Sequence, residues 1–245
     1  MLQHGWEFSA DNPDHLYGLS YLYQIYLQGD AQYEGRVTVP VLWDKQQQVI
    51  VNNESADIIR MFNSAFNHLT GDTQDFYPAE LRTDIDQLNA HIYNTINNGV
   101  YKAGFATTQS VYETALTELF AALDELEQRL TNQRYLLGDV VTEADIRLFT
   151  TLIRFDPVYV GHFKCNLRTL SSYPALFAYL RDIYQQPGVA ATVSFDHIKQ
   201  HYYASHKTIN PTGIVPVGPL QDLWAPHNRA QLVESGLTPP KVKHA

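Results

Sequence analysis

Cysteine is nearly absent: Cys165 is the single thiol among 245 residues. One thiol cannot close an intramolecular disulfide or build a zinc site from several cysteines, so the fold must rest on its apolar core. That is the condition of a reducing compartment, and the cytoplasm is the expected location. Positive charge is also scarce, with 17 Lys and Arg against 26 Asp and Glu for a formal net charge of −9. Phosphate backbones are held by clustered cations, and Lys241 and Lys243 are only scattered near the end, so nucleic acid is excluded as a partner. No stretch approaches the ~20 apolar residues of a membrane span, which excludes a membrane partner, and residues 1–14 show neither the basic nor the apolar part of a secretory leader. Disorder is excluded as well, because 44% hydrophobic and 12% aromatic residues can bury a core that offsets chain entropy.

What is present divides near residue 68. The first segment, 1–68, is short and mixes α and β patterns. Leu19, Leu22, Tyr23, Tyr26 and Leu27 recur at helical spacing and stop at Gly29. Two strand-like runs, 37–43 and 48–51, flank a polar turn and predict a hairpin, with Pro40 marking a strand start or edge and allowing a cis peptide after Val39. Ile58, Ile59, Phe62, Ala65 and Phe66 then predict a helix. The second segment, 69–245, reads as a helical bundle. Leu81, Ile85, Leu88, Ile92 and Ile96 form one stripe, and Tyr112, Leu116, Leu119, Leu123, Leu126 and Leu130 another, with a glycine-bearing loop at 97–108 between them. Thr142 and Asp145 predict a capping box with Val141 and Ile146 as a staple, and Pro174 with Pro187-Gly188 bounds a helix over 175–186. From 210 onward proline and glycine predict an irregular tail, draped over the bundle or disordered beyond Gly236.

Two constellations could carry chemistry. Residues 36–41 offer an exposed edge backbone beside a proline, and Glu54-Ser55 sits at a helix start whose free N–H groups favour a carboxylate; together they suit a small peptide. A hairpin feeding a capped helix explains the same residues. His197 and His201, spaced i, i+4, with His206 following, raise a metal site, but the intervening residues lack the glutamate of a His-Glu-x-x-His motif and solvated histidines fit as well, so no metal is expected. Asp145 and Arg147 read as capping and fold residues.

The blocks RVTVPVLWDK (36–45), NNESADIIRMFN (52–63), NNGVYKAGFAT (97–107), VTEADIRLF (141–149), RFDPVYVGHFKC (154–165) and HKTINPTGI (206–214) resemble the glutathionyl-hydroquinone reductases, the xi class of the glutathione S-transferases. The resemblance implies an α+β, mostly helical fold: part of a thioredoxin-like domain over 1–68, then an all-helical domain over 69–245. It implies glutathione as co-substrate, quinone-derived small molecules as substrates, and a homodimer. Carried over residue by residue, Glu54 and Ser55 hold the γ-glutamyl group, the backbone of Arg36, Val37, Thr38 and Val39 pairs with the cysteinyl unit, and Trp6 lines the site. Tyr101 becomes the proton donor or acceptor, with Tyr159 and Tyr202 favouring the thiolate. Positioned phenols can do this, although an ordinary phenol pKa of ~10 requires that they be aimed at the reacting atoms. Without the resemblance, these three are simply core or rim tyrosines.

The family's nucleophile lies in a Cys-Pro motif at the first thioredoxin helix, and this sequence has no Cys-Pro. The expectation is an N-terminally truncated or shortened member, crippled for turnover; the alternative is a non-catalytic scaffold or dimerisation module. Cys165 lies in a block the family has in addition to its nucleophile, so a structural role is expected for it.

Overall fold

A computed structural model describes residues 5–234. The chain divides into two compact units, the first ending at Asp75 and the second beginning at Phe76. The composition shift at 68 falls short of that boundary. A short helix there stops on Gly71 in the left-handed region, and Asn63 Nδ2 donates to Asp75 at 2.7 Å, so the chain up to Asp75 stays with the first unit.

In the first unit, α1 (Leu22–Gly29) starts where Gln24 Oε1 takes the N–H groups of Ser20 and Tyr21 at 3.1 and 2.9 Å. Gly29 is its last residue, needed for close approach: a Cβ there would meet the Trp43 ring at 3.1 Å. Strands β1 (Leu42–Asp44) and β2 (Val49–Asn52) form an antiparallel pair with Trp43 opposite Ile50. The strand expected from residue 37 therefore begins only at Leu42. The preceding residues are diverted: Tyr26 donates its hydroxyl to the Thr38 carbonyl at 2.8 Å, and Pro40, after a cis bond from Val39, has no N–H to give a ladder. Helices α2 (Ser55–Ser64) and α3 (Asn67–Thr70) follow. Leu22, Ile25 and Tyr26 form a small core with Trp6, Trp43 and Ile50 packed on it.

The second unit holds a much larger core and all the remaining helices among the described residues. Its first helix, α4 (Arg82–Ile92), buries Ile85, Leu88 and Ile92 and runs into a π turn, Tyr93–Asn97, closed by Asn98 N–H to the Tyr93 carbonyl at 2.9 Å. The expected loop at 97–108 is instead largely α5 (Gly99–Gly104), because Val100 and Ala103 are buried one turn apart. Gly104 lets the Phe163 ring lie on α5; a Cβ at that position would overlap the ring. The long α6 (Gln109–Asn132) buries Leu116, Leu119, Leu123, Leu126 and Leu130, the stripe read from the sequence.

Helix α7 (Glu143–Arg154) begins at the Thr142 capping box. The buried Asp145 carboxylate takes the Thr142 N–H at 2.8 Å, the Thr142 hydroxyl at 3.0 Å, the Leu136 N–H at 2.9 Å and the Tyr179 hydroxyl at 2.8 Å. It thereby ties the helix start to the preceding loop and to α8 (Pro174–Tyr184). At its other end α7 widens into a second π turn, Phe155–Tyr159, in which Val160 N–H reaches the Phe155 carbonyl at 3.0 Å. Pro157 explains the widening, since it has no N–H for the carbonyl four residues back and its ring crowds that carbonyl. Next come α9 (Phe195–Ser205), capped by Ser194, and α10 (Ala230–Glu234). Between them the chain is irregular, as its prolines and glycines predict, yet it is held: the buried Arg229 donates to the carbonyls of Leu130, Gln133, Arg134 and Ala175. The expected disorder beyond Gly236 lies outside the described residues.

Asp145→Ala strips one acceptor from two buried N–H groups and two hydroxyls. The expected cost is about 3–5 kcal/mol, the range for breaking a buried charged network. Urea denaturation of the variant checks this, and Asp145→Asn, which keeps one acceptor oxygen, should lose less.

Candidate functional site

The residues singled out from the sequence fall into two groups, one in each unit. In the first unit, Glu54 is the N-cap of α2, its Oε1 accepting the Ala56 N–H at 3.2 Å, while Asn52 Oδ1 fixes the Glu54 N–H at 2.7 Å. Ser55 follows on the first helical turn. Among the described residues, its N–H and hydroxyl have no hydrogen-bond partner, so both remain open to an anion at a helix start. The segment from Arg36 to Val39 is held from behind. Tyr33 donates to the Arg36 carbonyl at 2.8 Å, and Asn53 Nδ2 reaches Tyr26 Oη and Thr38 Oγ1 at 3.1 and 3.3 Å. Val39 is left with both its N–H and its carbonyl unpaired among the described residues, and its side chain is exposed, an open backbone edge of the kind that pairs with a peptide. Val37 packs on the small core rather than outward. Trp6 packs on the same core, its carbonyl accepting the Leu22 N–H at 2.9 Å.

In the second unit, Tyr101, Tyr159 and Tyr202 come together although 101 residues separate the outer pair in sequence. The π turn at the end of α7 delivers Tyr159, α5 delivers Tyr101, and α9 delivers Tyr202. Tyr202 Oη lies 2.5 Å from Tyr101 Oη and 2.9 Å from Tyr159 Oη. Tyr159 is 2% exposed and Tyr202 5%, whereas Tyr101 is 38% exposed.

The direction of this chain follows from proton counting. Tyr159 has no acceptor other than Tyr202 among the described residues, so its buried hydroxyl donates there. Tyr202 is buried and has no other acceptor among the described residues, so it donates its one proton to Tyr101. The Tyr101 hydroxyl therefore accepts from within and keeps its own proton for a group outside. Burial pushes the Tyr159 and Tyr202 phenols well above the usual range, and for each the phenol it donates to adds to the shift, so both stay protonated donors.

Around the hydroxyls stands an aromatic wall that the sequence reading missed. Phe163 stacks on Tyr159 with ring centres 5.6 Å apart and meets Tyr101 edge-on at 5.4 Å, and Phe105 stacks beyond Tyr101. His206 lies against Phe163 and Phe105, and its ring pairs with the buried His162. Apart from the metal idea at His206, the only sequence signal for these residues is that they lie in the blocks 97–107, 154–165 and 206–214, the first two of which also hold Tyr101 and Tyr159. Tyr26 and Asn53, which shape the first group, entered the sequence reading only as part of a helical stripe and of the block 52–63.

Cys165 is fully buried, with its thiol 3.9 Å from the carbonyls of Val100 and Phe163, and burial pushes its pKa up to about 12. Lys164 beside it does not offset that desolvation, and such a thiol is inert as a nucleophile. Among the described residues no three His, Cys, Asp or Glu side chains are close enough to hold a metal ion, and His206 faces His162 instead of completing a set with His197 and His201. No helix among them is long and apolar enough to cross a membrane.

The profile of the glutathione S-transferase C-terminal domain matches residues 109–182. The glutathionyl-hydroquinone reductase YqjG of Escherichia coli K12 is 59% identical over 233 residues, spanning 94% of this chain and 71% of that protein. The glutathionyl-hydroquinone reductase PcpF of Sphingobium chlorophenolicum is 53% identical over 226 residues, 91% of this chain and 72% of that one. Among solved structures, glutathione-bound YqjG superposes with a TM-score of 0.92 at 58% identity over 94% of this chain and 76% of its own. A xi-class glutathione transferase from Natrialba magadii gives 0.90 at 47% identity, covering 93% and 71% of the two chains. The fold is α+β and mostly helical, thioredoxin-like in its first part and all-helical in its second, and the chain belongs to the glutathionyl-hydroquinone reductases, the xi-class glutathione S-transferases.

Proposed function

We propose that this chain binds glutathione through its first unit and handles a quinone-derived ring through the phenols of its second, in the manner of a glutathionyl-hydroquinone reductase. Glu54 takes the ammonium of the γ-glutamyl group, and the open Ser55 N–H and hydroxyl take its carboxylate. The Arg36 to Val39 backbone pairs with the cysteinyl unit, beside Trp6. Tyr101 is the catalytic phenol, and the observation that carries the reading is the directed chain from Tyr159 through Tyr202 that ends on it. In this chemistry a cysteine thiolate attacks the sulfur of a glutathionyl-hydroquinone. The sulfur–sulfur bond forms as the carbon–sulfur bond breaks, and the ring carbon leaves with the electron pair and takes a proton. A second glutathione then releases the mixed disulfide as glutathione disulfide. Tyr101 supplies the proton, held ready because its oxygen already accepts from Tyr202.

The thiolate is the step this sequence does not provide. Its one thiol, Cys165, is buried and strongly protonated, so the 245 residues bind ligand without turning it over. We place the protein in the cytoplasm as a homodimer, in keeping with the lone reduced cysteine and with the family.

Isothermal titration calorimetry with glutathione tests the first half. The chain should bind, and Glu54→Ala should weaken binding about tenfold, the value of one charge-assisted contact. Equal affinity in the two proteins removes Glu54 from the site. A turnover assay with a glutathionyl-hydroquinone tests the second half: the chain and its Cys165→Ser variant should be equally inactive, and activity that disappears in Cys165→Ser makes Cys165 the nucleophile.

A further inference from the structure

His162 is 4% exposed, and its Nε2 lies 3.0 Å from His206 Nδ1. Two imidazoles at that distance share one proton between the facing nitrogens, so one ring donates and the other accepts. Which ring donates is settled by what each would leave behind. If His206 donated, the His162 proton would sit on Nδ1, for which no acceptor is found among the described residues, on a ring only 4% exposed. Imidazole by itself favours the Nε2–H tautomer, and orphaned N–H groups are rarer than under-satisfied acceptors, so the form that leaves His162 Nδ1 bare is preferred. His162 therefore carries its proton on Nε2 and donates, and His206 is left as the tautomer with a bare Nδ1 and a proton on Nε2. Charging either ring is opposed by the surroundings: burial, helped by His206 and Lys164, holds His162 down to about 4, and burial and His201 lower His206.

The Nε2–H of His206 has no partner among the described residues, and that ring forms the rim of the aromatic wall that carries Tyr101. It stacks on Phe163 at 5.9 Å between ring centres, meets Phe105 edge-on at 5.3 Å, and stands edge-on to Tyr202 at 5.6 Å. Phe105 is 49% exposed, so this rim faces open space. A half-buried neutral N–H on an exposed aromatic surface is suited to an oxygen on a flat ring. It adds a directional contact that the phenyl faces cannot supply.

We propose that His206 is a specificity residue for the ring substrate, donating Nε2–H to a ring oxygen, and that His162 is the positioning residue that fixes its tautomer. The inference rests on the functional reading above, since it assigns to Tyr101 and His206 the same ring ligand.

The test compares two probes by calorimetry near neutral pH on the full chain: S-(2,5-dihydroxyphenyl)glutathione and S-phenylglutathione, which lacks the ring oxygens. His206→Phe should weaken the dihydroxylated probe about tenfold and leave the phenyl probe within twofold. His162→Phe should do the same, while His162→Gln, which still presents an N–H, should restore most of the loss. The ¹⁵N shifts of labelled histidine give an independent readout: His206 should show an unprotonated Nδ1 in the parent chain and lose that signature in His162→Phe. Equal weakening of both probes, no weakening of either, or a protonated Nδ1 on His206 overturns the inference while leaving glutathione binding intact. Failure of the parent chain to bind either probe overturns both this inference and the reading beneath it.

Discussion

The helical unit depends on how one helix begins and ends. At its start, the Asp145 carboxylate, fully buried, gathers four donors, which ties the α7 start, the loop at Leu136 and α8 to one another. At its end, Pro157 denies the backbone a hydrogen bond and the helix opens into a π turn. The cap fixes the axis and the proline fixes where the axis is left. Tyr159 emerges from that turn at the one position from which its hydroxyl meets Tyr202, and Cys165 N–H returns to the Tyr159 carbonyl at 2.9 Å to close the segment.

Burial then sorts groups of the same chemical type into different roles. Tyr159 and Tyr202 are deep, stay protonated at moderate pH, and form a fixed relay of donors; Tyr101 has the same side chain, but its position at the surface end leaves it the exposed phenol of the three, the one we propose meets a ligand. The histidines repeat the pattern of burial, with His162 inside and His206 outside, as the proposed donor and the proposed contact. In the first unit the same logic operates on backbone rather than side chains. Tyr26, Tyr33 and Asn53 occupy the inner polar groups of residues 36–38, so that Val39 remains open.

Much of the second unit was legible because its signals are local and periodic. The stripe of α6, the Thr142–Asp145 pair and the proline before α8 each announce a structure within a few residues. The errors came where a distant group decides. Residues 37–41 have strand chemistry, but the Tyr26 hydroxyl, a dozen positions back, takes the Thr38 carbonyl out of any ladder. The glycines at 99 and 104 suggest a loop, but both lie in α5, and the second leaves room for the Phe163 ring. The three tyrosines were found only through family resemblance, since no spacing rule relates positions 101, 159 and 202. Phe105, Phe163 and His162 escaped for the same reason, because what marks them is mutual stacking across the bundle.

The account stands most directly on the claim that Tyr159 and Tyr202 are permanent donors behind Tyr101. Carbon-13 labelling of the tyrosine ring carbon that bears the hydroxyl, followed by NMR titration into the alkaline range, reads each phenol separately once single Tyr→Phe variants assign the signals. Tyr159 and Tyr202 should remain in the phenol form through ~10–11, where an exposed tyrosine ionises. Because the folded state then keeps protons that the unfolded chain releases, stability should fall as pH rises above ~10. Ionisation of either buried phenol at the ordinary value, in a chain still folded, would contradict the directed relay.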